Sequence, residues 1–258
     1  MPTFGLIGYP LSHTFSPAYF GRKFVELELQ DSHQYLSFEM EDVQNFLVLP
    51  QVYPDLLGCN VTIPHKEAII PLLDELSPGA AAIGAVNTIH FQQGRSIGYN
   101  TDALGFRQDL LELLGEKRPQ RALILGTGGA SKAVQWVLQE LDIAVSWCSR
   151  RPGDDRYNYQ ELDATILEAH PLIVNTTPLG MAPRVTTAPD LPYFALTSAH
   201  FCYDLIYNPA ETRFLQLAAA QGAATRNGLG MLHAQAEAAW SIWTDEKEGR
   251  TSPREKRT

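Results

Sequence analysis

The residues best suited to chemistry begin with Gly126-Thr127-Gly128-Gly129-Ala130, a glycine-rich string that follows the apolar run 121–125 and opens a helical period over 132–141. In that context glycine permits a tight turn, lets backbone approach a pyrophosphate, and leaves amides at a helix N-terminus to receive negative charge. The spelling departs from G-x-G-x-x-G, because Ser131 or Lys132 stands where the third glycine would fall. The next strand ends in Ser149-Arg150-Arg151-Pro152, and Asp154 and Asp155 come only later. An acid at that tip would bond ribose hydroxyls, whereas guanidiniums suit a 2′-phosphate through charge-assisted bonds, so NADP is favoured over NAD. A turn that needs glycine for geometry alone, and two solvated loop arginines, are the plainer alternatives.

Three strings in the first half are rich in polar groups although they border apolar strands. They are residues 8–17, G-Y-P-L-S-H-T-F-S-P; residues 60–66, N-V-T-I-P-H-K; and Asn87-Thr88 with Asn100-Thr101-Asp102. Together with the glycine turn and with residues 228–235, G-L-G-M-L-H-A-Q, they resemble the shikimate dehydrogenase family over about residues 4–243, N-V-T-x-P-H-K being the most specific piece. The resemblance implies an α/β fold: an N-terminal α/β substrate domain, residues 1–103 completed by helix 231–244, and a Rossmann-type NADP-binding domain with a parallel sheet, residues 104–230. It also implies the reversible reduction of 3-dehydroshikimate to shikimate by NADPH, in the biosynthesis of aromatic amino acids. Lys66 and Asp102 would be the catalytic pair. Thr14 and Ser16 would hold the substrate carboxylate with Tyr207, and Thr62, Asn87, Asp102 and Gln235 would bond its hydroxyls. Gly126, Thr127, Gly128, Gly129, Ala130, Ser149, Arg150 and Arg151 would hold the cofactor, with Leu205 and Gly228 lining the nicotinamide. No metal is implied.

Each assignment has a structural rival. Ser16 before Pro17 is a good N-cap, and the two roles can coexist if the carboxylate sits at that helix end. Asp102 could cap the helix that follows it, Thr62 could be an ordinary strand residue, Asn87 a turn residue and Gln235 a solvated helix residue. Lys66 follows Pro64 at a helix start, where a cation is mildly unfavourable, which hints at another purpose. His13 and His65 read as scaffolding. Two departures from the family stand out: Thr14 replaces the usual serine, adding a methyl to the carboxylate pocket, and S-R-R-P replaces the N-R-T of NADP-preferring members or the R-R-D of members accepting NAD. A quinate/shikimate dehydrogenase of broader specificity, the more distant methylenetetrahydrofolate dehydrogenases and a noncatalytic NADP-binding sensor are the competing functions.

The elements that must position these residues alternate between strand and helix patterns, the signature of parallel sheets with helical crossovers. Strands are expected at 4–8, 34–38, 58–63, 85–91 and 96–99, with a hairpin turn at 92–95, a helix at 18–29 and an amphipathic segment at 66–76. A helical period at 104–114 is broken by the charged stretch 115–120, in the region of the domain junction. A βαβ unit follows (121–125, 132–141, 144–149), then strands at 172–175 and 201–206, helices at 211–221 and 231–243, and a polar tail, 245–258, expected to be disordered.

Composition narrows the class. Of 258 residues 45% are hydrophobic and 19% charged, enough for a sizeable interior, and length favours two domains. A net charge of −9 argues against a nucleic-acid partner. Cys59, Cys148 and Cys202 form neither a C-x-x-C pair nor an even set, so neither a disulfide framework nor a zinc site is indicated. The N-terminus lacks a basic start and apolar stretch, and no window approaches the roughly 18 apolar residues of a membrane span. The expectation is a cytoplasmic protein, monomer or homodimer, acting on a small molecule.

Overall fold

The computed structural model describes residues 1–11, 14–150, 153 and 156–248, without the side chains of 245–248. The chain forms two compact units, residues 1–101 with 236–258, and residues 102–235.

The first unit contains β1 (Thr3–Gly8), α1 (Phe15–Glu26), β2 (Gln34–Glu39), α2 (Leu49–Val52), β3 (Leu56–Val61), α3 (His65–Ala68), β4 (Glu75–Leu76), α4 (Pro78–Ile83), β5 (Thr88–Gln92) and β6 (Arg95–Tyr99). Its sheet order is β2-β1-β3-β5-β6-β4. β1 runs parallel to β2 and β3, and β4 to β6, but β5 is antiparallel to both β3 and β6. The sheet is therefore mixed: the alternation of patterns suits its parallel strands, and the hairpin expected at 92–95 is its antiparallel part. The cause is the hairpin, whose two turn residues, Gln93 and Gly94, take φ of 51° and 79°. Two left-handed residues in sequence give the turn whose twist matches a two-residue connection.

Local chemistry moved several boundaries. Helix α1 starts at Phe15, not residue 18, with Thr14 as N-cap and Pro17 in the first turn, where its missing N–H costs no bond. Ser16 is thus inside the first turn and is not the N-cap. The helix ends early because Glu28 turns to φ 58°. The segment 66–76 divides into α3, a 3-10 turn at Ile70–Leu72 and β4, with Pro71 in the 3-10 turn. A helix not expected, α4, carries a plain signature: Ser77 accepts from the Ala80 N–H at 3.2 Å, Pro78 is the first residue, and Gly84 ends the helix at φ 70°.

One face of this sheet buries Ile7, Phe38, Phe46, Val61, Ile69 and Ile89. The other buries Phe4 against Phe20 and Phe24 of α1 and against Ala236, Ala239 and Trp243 of the C-terminal helix. Gly58 makes room for the Trp243 indole, whose N–H donates to the Ile89 carbonyl at 2.9 Å.

Helix α5 (Thr101–Leu114) leads into the second unit, which holds β7 (Arg121–Leu125), α6 (Gly129–Glu140), β8 (Ala144–Cys148), β9 (Arg156–Tyr157), α7 (Ala164–Ala169), β10 (Leu172–Asn175), β11 (Phe201–Asp204), α8 (Arg213–Ala219) and β12 (Ala224–Arg226). Helix α9 (Leu229–Glu248) returns to the first unit. The sheet order is β12-β11-β10-β7-β8-β9, and every strand pair is parallel. That is the doubly wound order, with its topological switch point between β7 and β10, where the crevice beyond the strand ends accepts ligands. Cys59, Cys148 and Cys202 are free thiols and buried, and burial pushes Cys148 and Cys202 up to about 12. No helix among the described residues is long and apolar enough to cross a membrane.

Candidate active site

In the first unit the polar residues gather where β1 and β3 end side by side. Thr62 N–H donates to the Ile7 carbonyl at 2.8 Å and Tyr9 N–H to the Ile63 carbonyl at 3.1 Å. Gly8 is required here, since a Cβ would overlap the Thr62 methyl, so glycine lets Thr62 lie against the end of β1. The chain then turns into α3. Its Lys66 carbonyl accepts from Val86 N–H at 2.8 Å, which brings Lys66 beside the start of β5. Asn87, the next residue, is 3% exposed. Its Oδ1 accepts from the Thr101 N–H at 2.6 Å, and its Nδ2 donates to Thr101 Oγ1 at 3.0 Å. Asn87 is thus a buried bridge between β5 and the start of α5, and Asp102 follows Thr101 directly.

A second polar seam supports this one. Tyr35 donates to Asn60 Oδ1 at 2.8 Å, and Asn60 Nδ2 reaches Thr88 Oγ1 at 3.3 Å. The buried Ser16 hydroxyl bonds the Tyr35 oxygen. Tyr35 itself is kept protonated, burial raising it well above the usual phenol range. Thr14 is half-buried and makes no side-chain cap bond. His65 is buried, its Nε2 2.7 Å from the Met40 carbonyl, a scaffolding contact. His13 lies outside the described residues. Of N-V-T-I-P-H-K, then, Asn60 and His65 build the interior, while half-buried Thr62 follows the end of β3 and half-buried Lys66 lies in α3. Tyr35 and Thr101, which sequence reasoning did not assign, complete the scaffold. Thr101 was legible as part of the N-T-D string; Tyr35 had no local signal.

In the second unit Asp102 sits in the first turn of α5, 8% exposed. One helical step on, Gly105 marks a backbone crossing. A Cβ there would lie 2.5 Å from the Met231 carbonyl oxygen and 2.9 Å from Gln235 N. Asp102 lies three residues before Gly105, on the same side of α5. Gln235 is not solvated: it is 7% exposed, and its Nε2 donates to the Leu232 carbonyl at 2.9 Å.

One more turn along α5, Asp109 ties the helix to β11 and β12. Its carboxylate accepts from Tyr203 Oη at 2.5 Å and from Arg226 Nε at 2.9 Å and Nη2 at 2.5 Å. A Cβ on Gly230 would overlap this carboxylate, so glycine in G-L-G-M makes room for the charge. This cluster was not foreseen from sequence.

The glycine turn lies at the switch point. Gly126 takes φ +100°, and a side chain there would meet Thr177 Cγ2 at 2.9 Å and Thr176 Oγ1 at 3.0 Å. Gly128 is the extended N-cap of α6 with no side-chain cap bond, and open space lies where a Cβ would be. Thr127 is exposed, while Gly129 and Ala130 are half-buried in the first turn. Ser131 takes the place of a third glycine by folding its buried hydroxyl back onto the Gly128 carbonyl at 2.5 Å. The tight turn, open cradle and uncapped helix end are what a pyrophosphate needs. Ser149 is buried with its N–H on the Tyr157 carbonyl at 3.0 Å; Arg150 is exposed, and Arg151 lies outside the described residues. At the end of β11, Leu205 donates its N–H to the Asn175 carbonyl at 3.0 Å, and Gly228 packs so closely on the Leu205 carbonyl that a Cβ would overlap it. Tyr207, two residues along, is half-buried. Among the described residues no group of three His, Cys, Asp or Glu could hold a metal ion.

Comparison with known proteins shows the family. Residues 6–89 match the family described as the shikimate dehydrogenase substrate binding domain. The NADP⁺-dependent shikimate dehydrogenase of Carboxydothermus hydrogenoformans is 40% identical, across 93% of this chain and 90% of its own. The shikimate 5-dehydrogenase of Thermus thermophilus, solved with NADP(H) and shikimate, is similar at TM-score 0.83 and 33% identity, covering 95% and 94% of the two chains. A quinate dehydrogenase from Corynebacterium glutamicum, solved with NAD, is similar at TM-score 0.84 and 26% identity, over 94% and 93%. The fold is α/β, an N-terminal substrate domain with a Rossmann-type NADP-binding domain. The chain belongs to the shikimate dehydrogenase family.

Proposed function

We propose that the protein interconverts 3-dehydroshikimate and shikimate with NADPH and NADP⁺, a step in aromatic amino-acid biosynthesis. The observation that carries this reading is the convergence of Thr62, Lys66 and Asn87 through backbone bonds at one end of the first sheet, with Asp102 following the Thr101 that Asn87 grips. A noncatalytic nucleotide sensor has no need of such a set.

In this reading the first unit, with its C-terminal helix, is the substrate domain and the second is the cofactor domain. The residues of the glycine turn would hold the pyrophosphate, Ser149, Arg150 and Arg151 the 2′-phosphate, and Leu205 with Gly228 the nicotinamide. When bound, NADPH supplies the hydride. Lys66, as ammonium, gives a proton to the oxygen of the C3 carbonyl as negative charge develops there, and as neutral amine it takes the proton back in the oxidative direction. Asp102, as carboxylate, holds that ammonium and bonds a ring hydroxyl. Thr62, Asn87 and Gln235 orient the remaining hydroxyls, and a site built around bonded hydroxyls rejects analogues lacking them. Thr14, Ser16 and Tyr207 hold the carboxylate; the Ser16 hydroxyl already bonded to Tyr35 is set at a helix first turn, where an anion is favoured. The protein acts in the cytoplasm as a monomer or homodimer, on small molecules only.

The similarity to a quinate dehydrogenase keeps one competing substrate in view. Absorbance of the reduced nicotinamide with shikimate or quinate, each with NADP⁺ or NAD⁺, tests the whole reading. Turnover of shikimate with NADP⁺ in preference to the other pairs is expected. Preference for quinate would replace the substrate assignment, and absence of turnover with all four pairs would end the enzymatic one.

A further inference from the structure

The connection between β11 and α8 carries Leu205 and Tyr207, which the proposed function gives to different ligands, the nicotinamide and the substrate carboxylate. We propose that Asp204, which touches neither, is a positioning residue that fixes this loop for both. The inference rests on those two assignments.

Asp204 is fully buried, so no water can stand in for a lost partner. Its carboxylate accepts from three donors: Thr212 Oγ1 at 2.6 Å, Asn175 Nδ2 at 3.0 Å and Ile206 N–H at 3.1 Å. Each donor fixes a different part of the loop. Thr212 is its far end, so the Asp204–Thr212 bond closes the loop at its base. Ile206 lies between Leu205 and Tyr207. Asn175 belongs to β10, and its carbonyl also holds the Leu205 N–H at 3.0 Å.

The same network reaches the dinucleotide turn. Asn175 Oδ1 accepts from Thr177 N–H at 3.0 Å and Thr177 Oγ1 at 2.7 Å, and the Thr177 methyl, with Thr176 Oγ1, closes the space above Gly126. From the opposite side Gly228 N–H donates to the Ile206 carbonyl at 3.1 Å, and Asn227 Nδ2 to the Ala210 carbonyl at 2.7 Å. The loop is therefore pinned from both sides, and Asp204 bonds its base, its middle and the neighbouring strand at once. Burial pushes Asp204 up to about 6, while its three donors pull the other way. At neutral pH it is an acceptor-only carboxylate facing three donors, which an alanine would leave unbonded.

The test compares Thr212→Ser, Thr212→Val and Asp204→Ala with the unmodified protein, well below each melting temperature. NADPH affinity is read from nucleotide fluorescence, and KM and kcat from shikimate oxidation; Tyr207→Phe reports separately on the substrate assignment. Thr212→Ser, which keeps both the bond to Asp204 and the cap on Leu215 N–H, is expected to match the parent. Thr212→Val and Asp204→Ala are expected to weaken NADPH, raise the KM for shikimate and lower kcat/KM by ~10- to 100-fold, the scale of ångström misplacement. If both variants melt earlier but the folded protein keeps its NADPH affinity and kinetic constants, Asp204 is structural only and the proposal is overturned. Should Asp204→Ala fail to fold, the near-isosteric Thr212→Val decides alone. Weakened NADPH binding in Thr212→Val supports the proposal even if the parent turns over no shikimate, an outcome that counts against the proposed reaction instead.

Discussion

Removing the Arg226 guanidinium should reveal how far the packing of α5 depends on its ion pair to the end of β12. Asp109 has a side chain 3% exposed, and Arg226 one 34% exposed. Arg226→Met keeps most of the apolar stem and removes both guanidinium bonds, so that the Tyr203 hydroxyl alone of these three donors still reaches Asp109. Breaking a fully buried pair costs about 3–5 kcal/mol because a charge is left uncompensated. Here the site is a third open on the arginine side, so water can follow the lost head group and the cost falls to about 2–3 kcal/mol. The Glu112 contact adds little, since its side chain is 57% exposed. At roughly 2–4 °C per kcal/mol for a chain of this size, the melting temperature should drop by roughly 4–12 °C. Arg226→Lys retains the charge but loses the forked bonds to Asp109, and should lie about midway. Thermal melts and urea midpoints of the three proteins measure this directly. A loss under about 0.5 kcal/mol in Arg226→Met, the range of an ordinary surface change, would refute the view that this pair holds α5 to the second sheet.

Three further outcomes are expected. Lys66→Met should lower kcat by the ~10²–10⁴-fold typical of a lost general acid or base while KM changes little, with Asp102→Asn also impaired and the double variant far short of the product of both losses; near-normal kcat in Lys66→Met ends the proton-transfer role. NADP⁺ should be used with a higher kcat/KM than NAD⁺, and replacing Arg150 and Arg151 together by uncharged residues should erase that preference chiefly by weakening NADP⁺, so equal use of both cofactors by the parent would contradict the assignment. Asp74 is held below the ordinary carboxylate range by the Ser96 N–H and hydroxyl, both donating to its Oδ2, so its stabilisation is present above about pH 3.8 and is lost as pH falls further; Ser96→Ala should flatten that acid limb of the stability curve, and an unchanged limb would show the bonds contribute nothing.

What the sequence by itself determined was local. The strand-glycine-helix order of 121–141 announces its turn because glycine content, apolar run and helical period are adjacent in the chain, and the structure puts Gly126 at the positive φ this requires. The hairpin at 92–95 was legible for the same reason, in a glycine between two alternating runs. The polar strings announced themselves by carrying side chains that ordinary strand ends do not need. Ser16 shows the limit even of local reasoning: its type and its proline suited an N-cap, yet Thr14 takes the cap and Ser16 turns inward to Tyr35.

Tertiary structure decided what depends on partners far apart in sequence. Asp109 meets Tyr203 across 94 residues and Arg226 across 117, and nothing near Asp109 distinguishes it from a solvated helix carboxylate. Nothing beside Gly105 or Gly230 in the chain explains why glycine stands there; the backbone of α9 and the Asp109 carboxylate placed against them do. Burial of Gln235, which removes the solvated alternative, depends on such a distant partner too, and the mixed order of the first sheet followed from which strands β5 found as neighbours. Hydrophobic period and turn residues specify which element forms and which face is apolar; burial of a particular polar group is set by the second element that covers it. That second element is chosen only when the whole chain has folded.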